Sequence, residues 1–278
     1  MLAALSVEKH SLNTRWSRIK ARFHPYDITA GLRKHHKAVI LRVKYEDYRG
    51  SINWKKLSPY LVGCQKQILC DPYIDLSETP FTRFEDTTYT LRLMKNFVTH
   101  MLEQAALPPH ELKIAYYDPM AVYPEMVTAL ASYTSCLTIV TDMPRFYERQ
   151  SEQLMAQYGI PLSVSNSTED LSGSHIILST EVIDTAWPLS AQSIVFTVKP
   201  PLVSLKGTIL SQYRVTVPYP YQRLQPPKTD NVYFLSALYS LCGVQELENL
   251  VPDQCSDRQG LFTAERLTQR LRSLRRSA

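Results

Sequence analysis

Asp118 and Asp142 stand 24 positions apart, and each closes a short apolar run, Leu112 to Tyr117 and Cys136 to Thr141. A carboxylate that follows a strand suits one of two jobs. It can accept hydrogen bonds from a ligand, as an acid about 20 residues beyond a first strand does with a ribose, or it can cap the helix that follows. Thr141, Arg145, Ser179, Thr180 and Lys199 fall at or just past the ends of the same set of apolar runs. Hydroxyls, a guanidinium and an ammonium beside two carboxylates can hold a nucleotide or sugar in the crevice beyond the carboxyl ends of a parallel sheet. Helix capping is the favoured reading of the two acids, with the ligand reading kept open beside it.

Other chemistries are poorly supplied. His35 and His36 are adjacent, His10, His24, His100, His110 and His175 are isolated, and no C-x-x-C pair occurs. None of this has zinc-ligand spacing, so no metal site is expected. There is no G-x-S-x-G elbow and no Walker A loop, which removes the common hydrolase and P-loop chemistries. The acid pairs Glu46/Asp47 and Glu169/Asp170 are sequence neighbours and read as solvated.

The elements that must position the strand-end residues are legible from periodicity. Leu112–Tyr117, Cys136–Thr141, Leu162–Ser165, His175–Ser179 and Ser193–Val198 are short apolar strands. Helices are predicted over Pro124–Tyr133 and Pro144–Tyr158, the second ending on Gly159 as a left-handed cap. Strands that alternate with helices of 10–15 residues imply βαβ units and a parallel sheet. Upstream, Ala38–Tyr45 and Gln67–Asp71 read as strands, Trp54–Leu61 as a short helix, and Tyr89 to Leu102 as the apolar face of a long one. Downstream come a possible strand at Tyr213–Val217, an apolar helix over Val232–Cys242, and a helix with Leu261, Ala264, Leu267, Leu271 and Leu274 on one face and arginines on the other.

The expected fold is therefore α/β. A Rossmann-like parallel sheet flanked by helices follows a smaller N-terminal α/β region and precedes a helical C-terminus. The expected division is a basic arm over 1–37, irregular or helical around Trp16 to Phe23; a small α/β region with a long linking helix over 38–110; a Rossmann-like domain over 111–218; and a Pro/Tyr-rich connection with C-terminal helices over 219–278.

Residues 112–199 resemble the dinucleotide-binding domain of the shikimate dehydrogenase and glutamyl-tRNA reductase group. The match lies in a strand, a helix and a strand ending in Thr141-Asp142 with Arg145 nearby, then in Asp170 to Thr180 and Gln192 to Val198. The resemblance implies a nicotinamide beside the strand ending near Thr180, and a preceding domain, here 38–110, that contributes substrate groups. The chain departs from that group where the phosphates should sit. A G-x-G-x-x-G/A loop lets backbone N–H groups approach a diphosphate, but here the loop reads Tyr117-Asp-Pro-Met-Ala-Val-Tyr-Pro124. Asp118 adds a negative charge, and Pro119 and Pro124 remove two N–H donors. Only 8 of the 278 residues are glycine, and no two are close enough to build such a loop. NAD(P) in its ordinary pose is disfavoured, and Tyr116, Tyr117, Met120 or Tyr123 are candidates to fill the crevice instead.

Composition narrows the setting. No apolar run approaches the ~18 residues needed to cross a bilayer, the first residues lack a secretory pattern, and the five scattered cysteines read as small buried hydrophobes. A cytoplasmic protein with no membrane partner is expected. The net charge of +5 is unevenly spread. Residues 1–50 hold eleven Lys/Arg against four Asp/Glu, and residues 261–278 hold five Arg against one Glu. Basic ends with Trp16 among the arginines, and an Arg-rich last helix, have the chemistry to bind nucleic acid, but solvated faces are the favoured explanation. The favoured reading is a non-catalytic Rossmann-like binding or regulatory protein, with a protein partner possible. The alternative is a divergent NAD(P)-dependent oxidoreductase or nucleotide-ligand enzyme with an altered phosphate-binding loop. The sequence names no ligand or cofactor.

Overall fold

A computed structural model describes residues 1–48, 50–257 and 260–275, with the side chains of Ser17, Lys20, Gln157, Tyr158, Leu274 and Arg275 set aside. The Leu274 side chain, expected on the last apolar face, thus lies outside the described residues. Along the chain run β1 (Leu2–Lys9), α1 (Arg15–Phe23), β2 (Tyr26–His35), β3 (Ala38–Asp47), α2 (Trp54–Leu57), β4 (Gln67–Cys70) and β5 (Thr82–Arg83). The long helix α3 (Thr88–Ala105) precedes β6 (Lys113–Tyr117), α4 (Glu125–Ala131), β7 (Cys136–Val140), α5 (Pro144–Tyr158), β8 (Leu162–Ser165), β9 (Ile176–Ser179), β10 (Ile194–Thr197), β11 (Thr208–Leu210) and β12 (Gln212–Arg214). Next come α6 (Tyr219–Gln222), α7 (Asn231–Cys242), β13 (Gln254–Ser256), β14 (Leu261–Phe262) and α8 (Ala264–Arg275). The chain divides into two compact units, Met1–Asp86 with Val217–Glu248, and Thr87–Thr216 with Asn249–Ala278.

The first unit is built on a five-stranded sheet of order β2-β3-β1-β4-β5. Strand β1 pairs in parallel with both β3 and β4, and β2 folds back antiparallel on β3. Residues 1–37, expected as an irregular or helical basic arm, therefore supply a central strand and an edge strand as well as a helix. The reason is that Leu2, Ala3, Ala4 and Leu5 are all buried. A strand covered on both faces is a continuous apolar run without alternation, and four residues are too few for periodicity to identify it. Ala3, Leu5, Val43, Tyr45, Leu57, Leu61 and Ile68 form the core on one face. The Pro/Tyr-rich connection and α7 join this unit, where the Arg42 guanidinium donates to the carbonyl oxygens of Arg223 and Gln225.

The second unit carries a six-stranded sheet of order β11-β10-β9-β6-β7-β8, parallel throughout. Counted from β6, that order is 3-2-1-4-5-6, the arrangement of a doubly wound Rossmann layer. The α/β, Rossmann-like expectation holds. Helix α5 spans the expected Pro144–Tyr158 and ends on Gly159 at φ 67°, a left-handed angle that glycine adopts without strain. The apolar stripe of α3 is buried from Tyr89 to Leu102. Helix α8 buries Leu267 and Leu271, while Arg272 donates to the Gln104 and Ala105 carbonyl oxygens that end α3. A cation there offsets the negative end of the helix dipole. Arg266 stacks over Phe262, 4.7 Å from the ring centre. Two of the arginines on the basic C-terminal helix are thus spent on packing within the unit. All five cysteines are free; Cys70 and Cys255 are buried, whereas Cys136 is exposed.

At the amino-terminal ends of the central strands β6 and β9, His175 Nδ1 accepts the Lys113 N–H at 3.1 Å. Burial, and then the nearby charge of Lys113, holds this imidazole below its ordinary range. The folded state thus favours the neutral ring. Its stabilising contribution is whole above pH ~6.5 and is lost as the pH falls below it. The melting temperature should fall on acidification through that range, and less so in His175→Gln. Parallel losses in the two proteins would dismiss this role.

Candidate functional site

The carboxyl end of β6 lies at the switch point of the Rossmann layer, between β7 on one side and β9 on the other. Ligands of such sheets bind at this point. Asp118 follows β6 directly and is wholly buried. Its Oδ1 accepts the Val122 N–H at 2.8 Å and the Thr180 hydroxyl at 3.0 Å. Its Oδ2 accepts the Tyr123 N–H at 3.1 Å and the Tyr147 hydroxyl at 2.6 Å. The Tyr116 hydroxyl lies 3.1 Å from Oδ2 and 2.8 Å from the Tyr123 carbonyl oxygen, with one proton to share between them. Burial first, and the carboxylate second, pushes both the Tyr116 and Tyr147 phenols above the ordinary tyrosine range. Both stay protonated and remain donors.

Several donors converging on one carboxylate is the arrangement that accommodates a buried anion. Two of those donors, the Val122 and Tyr123 N–H groups, belong to the loop between β6 and α4, where a dinucleotide fold presents backbone N–H groups to phosphate. Here they point at a side chain of the same chain. Ala121, in the same loop, has φ 52°, a left-handed conformation that costs a non-glycine residue about 1 kcal/mol or more. The loop thus turns sharply around Asp118 without glycine.

Neither acid serves as the helix cap that the sequence allowed. Helix α4 starts after Pro124 and helix α5 after Met143, each without a side-chain cap. Asp118 instead accepts the Val122 and Tyr123 N–H groups, upstream of α4. At α5 it is the Thr141 hydroxyl that accepts the Met143 N–H, at 3.0 Å. Thr141 is buried and also donates to the Pro119 carbonyl oxygen, which ties the β7 end to the β6 loop. Asp142 and Arg145 are exposed. Ser179 is buried and donates to the Glu181 carbonyl oxygen, and Lys199 is exposed. Of the seven residues singled out, only Asp118 and Thr180 are joined directly by a described hydrogen bond.

Tyr116 and Tyr123 are buried at the crevice, as expected of residues that fill it, but Met120 is 61% exposed and fills nothing. Tyr117 instead packs on Trp187, ring centres 4.9 Å apart. The participant not foreseen is Tyr147. Its signal was present: an aromatic hydroxyl on the apolar face of α5, in line with the buried Leu154, needs a buried polar partner.

A second cluster lies in the first unit. Glu8, His10 and Glu46 bring one ligand atom each within 4.8 Å of the others, although their sequence spacing gave no sign of it. The Lys44 ammonium lies 2.9 Å from Glu8 and 2.7 Å from Glu46, raising its own pKa and lowering that of Glu46. Tyr48 donates to Glu46 and stacks on His10. The cation between these carboxylates is the chain's own lysine, so the cluster is not assigned to a metal.

No family model matches the chain, and no curated protein matches it. Solved structures that overlap it include the Thermococcus litoralis Δ1-pyrroline-2-carboxylate reductase in complex with NADH and L-proline, at 10% identity and TM-score 0.30 over 66% of this chain and 61% of that one. An archaeal alanine dehydrogenase dimer with bound NAD overlaps at 10% identity and TM-score 0.30, over 65% of this chain and 59% of that one. The ligand-free 5-ketofructose reductase of Gluconobacter sp. strain CHM43 overlaps at 10% identity and TM-score 0.32, over 98% of each chain. The first two overlaps span less than two thirds of those chains. None of the three is a shikimate dehydrogenase or a glutamyl-tRNA reductase. Likeness this distant carries no argument about cofactor or reaction.

Proposed function

We propose that the protein is a binding or regulatory module built on a Rossmann-like layer that supplies its own anion where a dinucleotide would place phosphate. The observation that carries this reading is the buried Asp118 carboxylate, which accepts the Val122 and Tyr123 N–H groups together with the Tyr147 and Thr180 hydroxyls. A diphosphate entering in the ordinary pose would meet a like charge and find those donors engaged. Thermal-shift measurements with NAD(H), NADP(H), FAD, S-adenosylmethionine, ATP and nucleotide sugars test it. A ligand at ~100 times its Kd adds about 2.7 kcal/mol, or several degrees in a domain of this size. No shift is expected with any of them.

One observation favours a second reading. The strand order of the second unit is that of dinucleotide-binding domains, and the exposed Asp142 and Arg145 stand past the end of β7. A divergent NAD(P)-dependent oxidoreductase, or another nucleotide-ligand enzyme, would use them with an altered phosphate loop. A clear shift with one nucleotide that disappears in Asp142→Ala would replace the first reading by this one and name the cofactor class.

A further inference from the structure

Helix α1 turns its apolar side to solvent. Trp16 is 80% exposed, Ile19 43% and Phe23 73%, and Leu12 just before the helix is 39% exposed. At about 100° per residue these four positions fall within a stripe roughly 60° wide. Ala21, on the opposite side, is buried and is the residue that faces the protein. Arg15 and Arg22 lie along one edge of the stripe, and both are exposed. Arg18 Nε donates to the Leu12 carbonyl oxygen at 3.1 Å, which holds Leu12 in line with the helix. An apolar ridge of this kind facing water, edged by guanidinium groups, is what an interfacial helix presents to a bilayer.

We propose that α1 seats the protein on an anionic lipid surface, with Leu12, Trp16, Ile19 and Phe23 entering the headgroup boundary and Arg15 and Arg22 pairing with lipid phosphates. Charge selects this occupant over a second copy of the chain. Residues 11–26 contain Arg15, Arg18, Lys20 and Arg22 and no Asp or Glu, so two copies of this segment repel. Side-chain type selects it over single-stranded nucleic acid, because Leu12 and Ile19 have no ring on which a base can stack. No described helix is long and apolar enough to cross a membrane, but crossing a bilayer and lying on it are separate demands. The expectation of no membrane partner rested on the first alone. The proposal is independent of the reading of Asp118.

Flotation of the full chain tests it, using vesicles of phosphatidylcholine alone and of phosphatidylcholine with phosphatidylglycerol. The protein should float with the second kind, and added salt should weaken the association. The double variant Trp16→Ser/Phe23→Ser changes only exposed side chains, so it should keep the wild-type melting temperature and lose flotation. Arg15→Gln/Arg22→Gln should bind anionic vesicles roughly thirtyfold more weakly, each cation near such a surface being worth about a factor of five. The proposal is overturned if the wild-type chain floats with neither vesicle, or if the Trp16/Phe23 variant floats as well as it does. Binding to an oligothymidine probe, abolished by the same substitutions and with no flotation, would overturn it in favour of nucleic acid.

Discussion

Asp118→Ala is expected to lower the stability of the protein by about 3–5 kcal/mol. The substitution strands the Val122 and Tyr123 N–H groups and the Tyr147 hydroxyl, each of which has the carboxylate as its described partner. A buried donor left without an acceptor costs about 1–3 kcal/mol. The Tyr116 hydroxyl keeps the Tyr123 carbonyl oxygen, and Thr180 keeps that of Tyr117, so neither adds its full share. Asp118→Asn preserves volume and one acceptor, but its amide nitrogen must face a donor whichever way it is turned; its loss should be smaller. Tyr147→Phe removes a single charged-group hydrogen bond and should cost about 1.5–3 kcal/mol.

Equilibrium urea denaturation followed by tryptophan fluorescence measures these losses, since Trp187 is buried in the core of the same unit. A loss under ~1 kcal/mol for Asp118→Ala would mean that the carboxylate does not organise the loop. Acetate provides a complementary arm. It can return a carboxylate to the space left in the alanine variant, and it should raise that variant's melting temperature while leaving the wild type unmoved.

Gly207→Ala should be nearly as damaging, by about 3 kcal/mol or more. Gly207 has φ +94°, and a Cβ there would stand 2.5 Å from the Ser193 carbonyl oxygen and 3.2 Å from that of Ser190. Both neighbours are backbone, and the Ser193 carbonyl already accepts the Thr208 N–H at the start of β11. No side-chain rotation relieves the contact, so β10 and β11 must part at their first pair. Gly31→Ala is the control: nothing lies within 4 Å of its would-be Cβ, and it should change stability by only about 0.5 kcal/mol. Thermal melts compare the two. Equal midpoints would show that the chain does not approach Gly207 closely.

The amino-acid sequence determined the local elements of the Rossmann-like layer. Apolar runs such as Cys136–Val140, and the 15-residue helix that stops at Gly159, follow from burial periodicity and from one left-handed angle. It also determined what the β6–α4 loop lacks, because glycine is either present or absent. It placed the positive charge of the first 50 residues, though not the direction in which α1 presents it. Only the tertiary structure decided which strands are neighbours, that Leu2–Lys9 is a central strand, and that the segment after Thr216 returns to the first unit. Those choices depend on which apolar faces meet across the chain, and periodicity records that a face is apolar without naming its partner. The same holds at the candidate site. Asp118 was visible as a strand-end acid, but its role is set by Tyr147 and Thr180, 29 and 62 residues away. A carboxylate becomes a structural anion only when distant donors converge on it and water is excluded, and that convergence is a property of the folded chain.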